Sequence, residues 1–256
     1  MLRIYFLITL FFSLASFGQQ QKTILFIGAH PDDETILGEL LIKYAKLGNK
    51  VIVMIATDGK DGTRVTKMRA GDSLGNLRKL EATCACKKME IQPPIFLSIE
   101  RLDTKIGVGN YFKSHKLLLD SLKVKIAAIK PSIILTFGPD GDTHHSEHIV
   151  VGGAVTELLL AEGWVEKYPL YYFAWTKDQS EQGDLGYVAQ SYLNVKIDYS
   201  NEDELKALDA ITCYATQFTP EELRTDREKK IKDTNNYLYF RRFIVQKGIQ
   251  SSFFDK

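Results

Sequence analysis

Two apolar runs rich in β-branched residues, TILFIGA at 23–29 and KVIVMIATDG at 50–59, flank a segment whose apolar positions recur at helical spacing. Neither run alternates with polar residues, so each reads as a strand buried on both sides, as in a parallel sheet covered by helices. Between them Leu37, Leu40, Leu41, Tyr44 and Ala45 make one helical stripe, and Gly48-Asn49 supplies a stop. The three segments form a βαβ unit.

The alternation continues. A helix is expected around 74–89, a strand at IFLSI, and a helix around 113–130 whose Leu118, Leu122, Ile126 and Ile129 share a face before Pro131 ends it. A strand at 132–138 and a helix at about 147–161 follow. Later strands are expected in LYYFAWT, SYLNVKIDY and YLYFRRFIVQ, with helices around 202–214 and 220–232. The fold class expected is therefore α/β: a Rossmann-like, mostly parallel sheet flanked by helices, with a C-terminal extension containing additional strands. No long polar linker divides the chain, so residues 19–256 are read as a single domain.

Residues 1–18 are read separately, as a signal peptide. Arg3 precedes the apolar run IYFLITLFFSLASF, and Ser16 and Gly18 place small residues before Gln19. That run is short for a membrane span and no later stretch of eighteen apolar residues exists, so no stable transmembrane segment is expected after cleavage. The implied location is secreted or periplasmic. A formal charge of +1 gives no reason to expect a nucleic-acid partner. The three cysteines are expected to be structural thiols, with a disulfide from Cys213 to one of the other two as the alternative: Cys84 and Cys86 point in different directions from one helix, and Cys213 is remote.

Chemistry concentrates at two strand ends. FIGAHPDDET, residues 26–35, sets His30, Asp32, Asp33 and Glu34 directly beyond the first strand, at the start of a helix. Helix capping accounts for one or two of these acids but not for the histidine. GPDGDTHHSEH, residues 138–148, carries three of the five histidines, and His145 and His148 share a side of a helical turn. Ligand sites of open α/β sheets form at such strand ends.

A site combining His30, Asp33 and His148 offers a metal two imidazoles and a carboxylate with one position open; the residues alone do not choose zinc over another divalent metal. Asp32, adjacent but free to point elsewhere, is then placed to take a proton from water. His145 is placed to stabilise an oxyanion or protonate a leaving amine, with Glu147 orienting it. These roles suit amide hydrolysis better than hydride transfer.

AHPDDE together with TFGPDGDTHHSEH resembles the PIG-L/LmbE-like N-acetylglucosaminyl deacetylase family. The likeness runs through TDG, the helix carrying Arg78 and Glu81, and KALDAITCYATQF at 206–218. It implies a zinc-dependent N-deacetylase of an N-acetylated sugar or glycoconjugate, with His30, Asp33 and His148 as ligands and Asp32 as general base. The family's His-Pro-Asp-His motif aligns with His145-Ser146-Glu147-His148, so Glu147 takes the place of an orienting aspartate. Ser146 and Glu147 depart from the motif, and the longer side chain changes the reach of that carboxylate.

Arg64, in the polar loop DGKDGTR, Arg78 and Asp103 are candidate substrate contacts. Ordinary surface charge is the alternative for Arg64; Arg78 and Glu81, three apart, could form a helix-surface pair, and the resemblance implies a loop-organising or substrate-side role for them. The aromatic run YPLYYFAW is read as core, and LRTDREKKIKD as a solvated helix. The alternative function is a secreted carbohydrate-binding protein with a catalytically inactive deacetylase fold. The sequence sets neither the exact substrate nor the oligomeric state.

Overall fold

A computed structural model describes residues 21–180 and 185–254. The proposed signal segment, 1–18, lies outside the described residues.

The strands are β1 (Thr23–Gly28), β2 (Lys50–Thr57), β3 (Ile95–Ile99), β4 (Ile133–Phe137), β5 (Leu170–Ala174), β6 (Val195–Asp198) and β7 (Tyr237–Arg242). They form one sheet in the order β3-β2-β1-β4-β5-β7-β6. From β3 through β5 the pairing is parallel, and β7 runs antiparallel to both β5 and β6. The extension therefore adds its strands to the edge of the same sheet. The two apolar runs that define the βαβ unit pair in register from Thr23↔Lys50 to Gly28↔Ile55. Leu25, Ile27, Val53, Met54 and Ile55 are fully buried, as strands covered on both faces require.

The principal helices are α1 (Gly38–Lys46), α2 (Asp72–Lys88), α3 (Val108–Ile129), a distorted turn α4 (Gly141–His144), α5 (Ser146–Ala161), a short α6 (Lys177–Ser180), α7 (Asn201–Ala210) and α8 (Pro220–Lys232). Helix α7 packs on α1 and α2, while α3 packs on α5. The helix α3 starts about five residues before the sequence pattern indicates. Val108 and Phe112 in its first turns are exposed, so the amphipathic stripe that marks a helix begins only at Ser114 and Leu118. Its end matches: Lys130 adopts a left-handed conformation, φ 52°, and Pro131 follows.

The cysteine expectation is corrected. Cys84 and Cys213 form a disulfide across 129 residues, leaving only Cys86 free and buried. The opposed directions of Cys84 and Cys86 are as read; spacing carries no information about the 3₁₀ turn at Ile211–Cys213, which folds back against α2. Replacing both Cys84 and Cys213 by serine should cost about 2–4 kcal/mol through the freed unfolded chain, read as a lower urea midpoint. An unchanged midpoint contradicts a stabilising role for the bond.

The order β3-β2-β1-β4-β5 places a topological switch between β1 and β4. The chain leaves β1 toward β2 on one side and returns to β4 on the other, so the loops after β1 and β4 diverge and leave a crevice. Both histidine-bearing motifs follow these two strands.

Candidate metal centre

Beyond β1 the chain is pinned before it turns. The Ala29 carbonyl accepts the Thr57 amide (2.8 Å) and hydroxyl (2.9 Å). Asp33 then folds its carboxylate back: Oδ2 accepts the backbone amides of Ala29 at 2.6 Å and His30 at 2.8 Å. Its other oxygen, Oδ1, faces His148 Nε2 at 3.2 Å and His30 Nδ1 at 3.8 Å.

Both imidazoles are oriented from behind. His148 Nδ1 donates to the Gly141 carbonyl at 3.1 Å, leaving Nε2 toward Asp33, and its ring stacks on Phe137 with centroids 4.0 Å apart and planes 5° from parallel. That stacking brings α5 close to the end of β4. A Cβ on Gly152 would lie 2.3 Å from the Phe137 carbonyl oxygen, so only glycine fits there. His30 Nε2 meets Glu147 Oε2 at 2.7 Å, leaving Nδ1 as its inward atom.

The donors suit a small divalent cation. Two ligands each about 2.0–2.1 Å from a tetrahedral zinc sit about 3.3 Å apart, against the 3.2 and 3.8 Å from Asp33 Oδ1 to the two imidazoles. His145 also approaches, with ligand atoms of His30, His145 and His148 within 4.8 Å of one another. Asp33 is buried and already faces both imidazoles with one oxygen, whereas His145 is exposed and its Nδ1 accepts the Glu147 amide at 3.3 Å. The set His30, Asp33 and His148 therefore fits better, with His145 alongside.

The charges of these groups act on one another. Burial works against an ionised Asp33, but the neighbouring His148 and His30 hold its carboxyl well below the usual range. Burial also opposes a charged His30, yet Asp33 and Glu147 raise it to about 10; His148 is raised by Asp33. The two carboxylates thus favour the protonated form of both imidazoles. His145 moves the other way, down to about 4, through desolvation and the nearby His30 and His148. It is neutral at neutral pH, and with Nδ1 accepting, its proton sits on Nε2.

Asp32 turns away from its neighbour. Its φ of 114° is uncommon for a residue with a Cβ, and this turn separates two consecutive carboxylates. Asp32 Oδ2 accepts Gln217 Nε2 at 2.7 Å and lies 3.5 Å from Arg78 Nη2. Burial and the Asp33 charge raise its carboxyl to about 6, against the opposing pull of Arg78 and Gln217.

The structure corrects two contacts. Arg78 and Glu81 are both buried and do not form a helix-surface pair. Arg78 reaches between loops to donate to Gly59 O (2.6 Å) and Pro31 O (3.0 Å), while Glu81 accepts the Thr216 amide and hydroxyl. Gly59, at φ 64°, lies against the guanidinium; a Cβ there would come within 2.3 Å of it. The Glu147 carboxylate contacts His30 and the Leu102 amide (2.6 Å) rather than the His145 ring, because side chains two apart at a helix start diverge.

A cleft of about 410 Å³ opens over these groups, lined also by Arg78, Arg101, Lys105 and Gln217. Arg64 does not line it. It is exposed, pairing with Glu222 at 2.6 Å and donating to the Gln217 carbonyl, and so supports Gln217 from behind. Asp103 is bound by Arg101 and borders an adjoining cavity. His144 lies outside the cleft lining, and His115 faces Glu157 at 3.5 Å. The aromatic run is core at Tyr172 and Phe173, but Trp175 donates its indole N–H to Asp142 in the cleft wall. Arg101 had no distinguishing local signal, and Asp142 was legible only as one more acid within the second motif. Glu34, whose Oε1 accepts the Tyr214 hydroxyl, was legible only as one more acid in a run.

Residues 25–159 match the family model described as PIG-L, GlcNAc-PI de-N-acetylase. A 1D-myo-inositol 2-acetamido-2-deoxy-alpha-D-glucopyranoside deacetylase from Mycolicibacterium vanbaalenii is 27% identical over 213 residues, 73% of this chain and 74% of that protein. A relative of the same name from Mycobacterium sp. (strain KMS) is 27% identical over 196 residues; that match takes in 68% of this chain and 62% of the relative. Among solved structures, the N,N'-diacetylchitobiose deacetylase of Pyrococcus horikoshii is similar at TM-score 0.60 and 21% identity, over 88% of this chain and 84% of that one. The 4-carboxy-2-hydroxymuconate hydratase of Pseudomonas putida is equally similar, at TM-score 0.61 and 18% identity over 91% of this chain and 100% of that one. A fold shared with a hydratase does not decide the reaction; the family model covers more than half of the chain, motifs included. The chain belongs to the PIG-L family of GlcNAc-PI de-N-acetylases.

Proposed function

We propose that this chain is a zinc-dependent N-deacetylase that hydrolyses the acetamide of an N-acetylated sugar or glycoconjugate. One observation carries the reading: Asp33 Oδ1 converges with His148 Nε2 and His30 Nδ1, while the adjacent Asp32 points into the same cleft from another side. The relatives named for deacetylation of a 2-acetamido glucopyranoside support the substrate class.

His30, Asp33 and His148 would hold the cation, which lowers the pKa of water and polarises the amide carbonyl when bound. Asp32, steadied by Gln217 and Arg78, accepts the proton as the water oxygen bonds to the carbonyl carbon. The neutral His145, with its proton on Nε2, donates a hydrogen bond to the developing oxyanion at the cleft rim. Breaking the C–N bond returns the Asp32 proton to nitrogen, giving acetate and a free amine. No observation favours the binding-only alternative, and the groups assigned here to turnover all line the cleft.

The Cys84–Cys213 bond supports an oxidising compartment, secreted or periplasmic. Identifying the mature N-terminus tests export; an intact Met1 on the extracytoplasmic protein contradicts signal cleavage.

The function is tested by assaying acetate release from soluble N-acetylated sugars before and after chelation. Turnover should vanish without metal and return with stoichiometric zinc, and zinc should bind more tightly as pH rises because protons compete for His30 and His148. Specific sugar binding without metal-dependent acetate release overturns the proposal.

A further inference from the structure

Asp32 is supported from the far end of the chain. Gln217, between α7 and α8, donates to Asp32 Oδ2 at 2.7 Å from 185 residues away. Such a contact lasts only while residues 211–218 are held against the rest of the fold.

Helix α2 does much of the holding, through residues spaced three apart on successive turns. Arg78 reaches Asp32 and the Pro31 carbonyl. One turn on, Glu81 accepts the Thr216 amide at 2.9 Å and hydroxyl at 2.6 Å. One turn further, Cys84 is bonded to Cys213. The segment is thus tied to α2 at two points, once by hydrogen bonds beside Gln217 and once covalently at the 3₁₀ turn that leads into it. Tyr214, fully buried, adds a hydrogen bond to Glu34, whose Oε2 accepts the Asp32 amide at 3.3 Å. The remaining ties come from exposed cations: Lys88 to Asp209 and Thr212, and Arg64 to the Gln217 carbonyl. Contacts of that kind contribute little, so the disulfide is the durable tie at the Cys213 end.

The bond is also within reach of a reductant. Cys84 is exposed and Cys213 half-buried, and exposed disulfides are the labile ones.

Resting on the deacetylase reading, we propose that the Cys84–Cys213 disulfide is a positioning clasp for the general base. Closed, it keeps Gln217 on Asp32; opened by a reductant, it lowers turnover while the metal ligands stay in place. The ligands are spared because their supports, the Ala29 and His30 amides, Gly141 and Glu147, lie outside the tethered segment. Glu81 and Tyr214 keep their hold after opening, so the loss is partial.

The test treats the zinc-loaded protein with tris(2-carboxyethyl)phosphine. The phosphine gives two electrons and takes the oxygen of water to become its oxide; the S–S bond breaks, and the two protons of that water end on the sulfurs of Cys84 and Cys213. The kcat for acetate release from N-acetylglucosamine or N,N'-diacetylchitobiose should fall by about threefold to tenfold, the upper figure being the loss of one hydrogen bond to a charged group. KM and zinc content should hold, and reoxidation should restore kcat. Gln217→Ala should show the full loss of about tenfold. Because the clasp acts through Gln217, reducing that variant should lower kcat no further. Hydrogen exchange gives a readout independent of turnover: the amides of Thr216, Gln217 and Phe218, bonded to Glu81 and to the Tyr214 carbonyl, should exchange faster on reduction while the strands stay protected. Unchanged exchange, unchanged wild-type kcat, or an equal fall in wild type and Gln217→Ala, as a general loss of stability would give, overturns the clasp and leaves deacetylation standing. Acetate from neither sugar before reduction overturns the deacetylase reading, and the clasp's catalytic role with it.

Discussion

Asp32→Asn should retain zinc at the wild-type stoichiometry while losing about 10²–10⁴-fold in turnover, the usual contribution of a positioned general base. That loss corresponds to about 3–5 kcal/mol of transition-state stabilisation. The substitution isolates proton transfer because little else at the position changes. Asn has nearly the shape of Asp, its amide oxygen can still accept from Gln217, and Asn tolerates positive φ better than most residues, which matters at φ 114°. The three proposed ligands keep all their own supports: Asp33 on the Ala29 and His30 amides, His148 on Gly141, and His30 on Glu147. Zinc content by elemental analysis and kcat for acetate release are the two readouts. Turnover within twofold of wild type would remove Asp32 from the mechanism; loss of zinc would show that its role is structural support of the site.

How far the sequence reaches is clearest in that same cluster. His30, Asp33 and His148 were legible because each follows a recognisable buried strand, and strand ends at a switch point meet in space. The element pattern was legible for the same reason: β1 and β2 are too apolar to be anything but two-sided strands, and Leu118, Leu122 and Ile126 have only one helical reading. What escaped depends on long-range placement. Gln217 reaches Asp32 across 185 residues, and Cys84 meets Cys213 across 129; local spacing encodes neither. Arg78 and Glu81 were half legible: their spacing on a helix suggests a surface pair that does not form, whereas the loop-organising role implied by the resemblance agrees with their bonds to the loops at Gly59, Pro31 and Thr216. Glu147 is the most instructive. Its aligned position implied a partner, His145, but one extra methylene and the outward turn of a helix start give it a different one.

That change of partner yields the second prediction. Glu147 is buried and divides its carboxylate between the Leu102 amide at 2.6 Å and His30 Nε2 at 2.7 Å. Burial alone would raise its pKa, but the hydrogen bond and charge of His30 keep it lowered. Glu147 therefore fixes the His30 ring so that Nδ1 faces inward beside Asp33. Removing such an outer-shell partner of a metal-binding histidine costs about 10–100-fold in metal affinity, so Glu147→Ala should weaken zinc binding by that factor in a chelator competition. Glu147→Asp should also weaken it, because the shorter side chain cannot span both partners. Glu147→Gln keeps the reach but has one acceptor oxygen for two donors, and should fall between Ala and wild type. Melting temperatures of the metal-free variants separate loss of the site from loss of the fold. If Glu147 instead oriented His145, as its place in the motif implies, zinc affinity would stay at the wild-type value in all three variants and only turnover would drop. That pattern would dismiss the His30 contact as a determinant of the site.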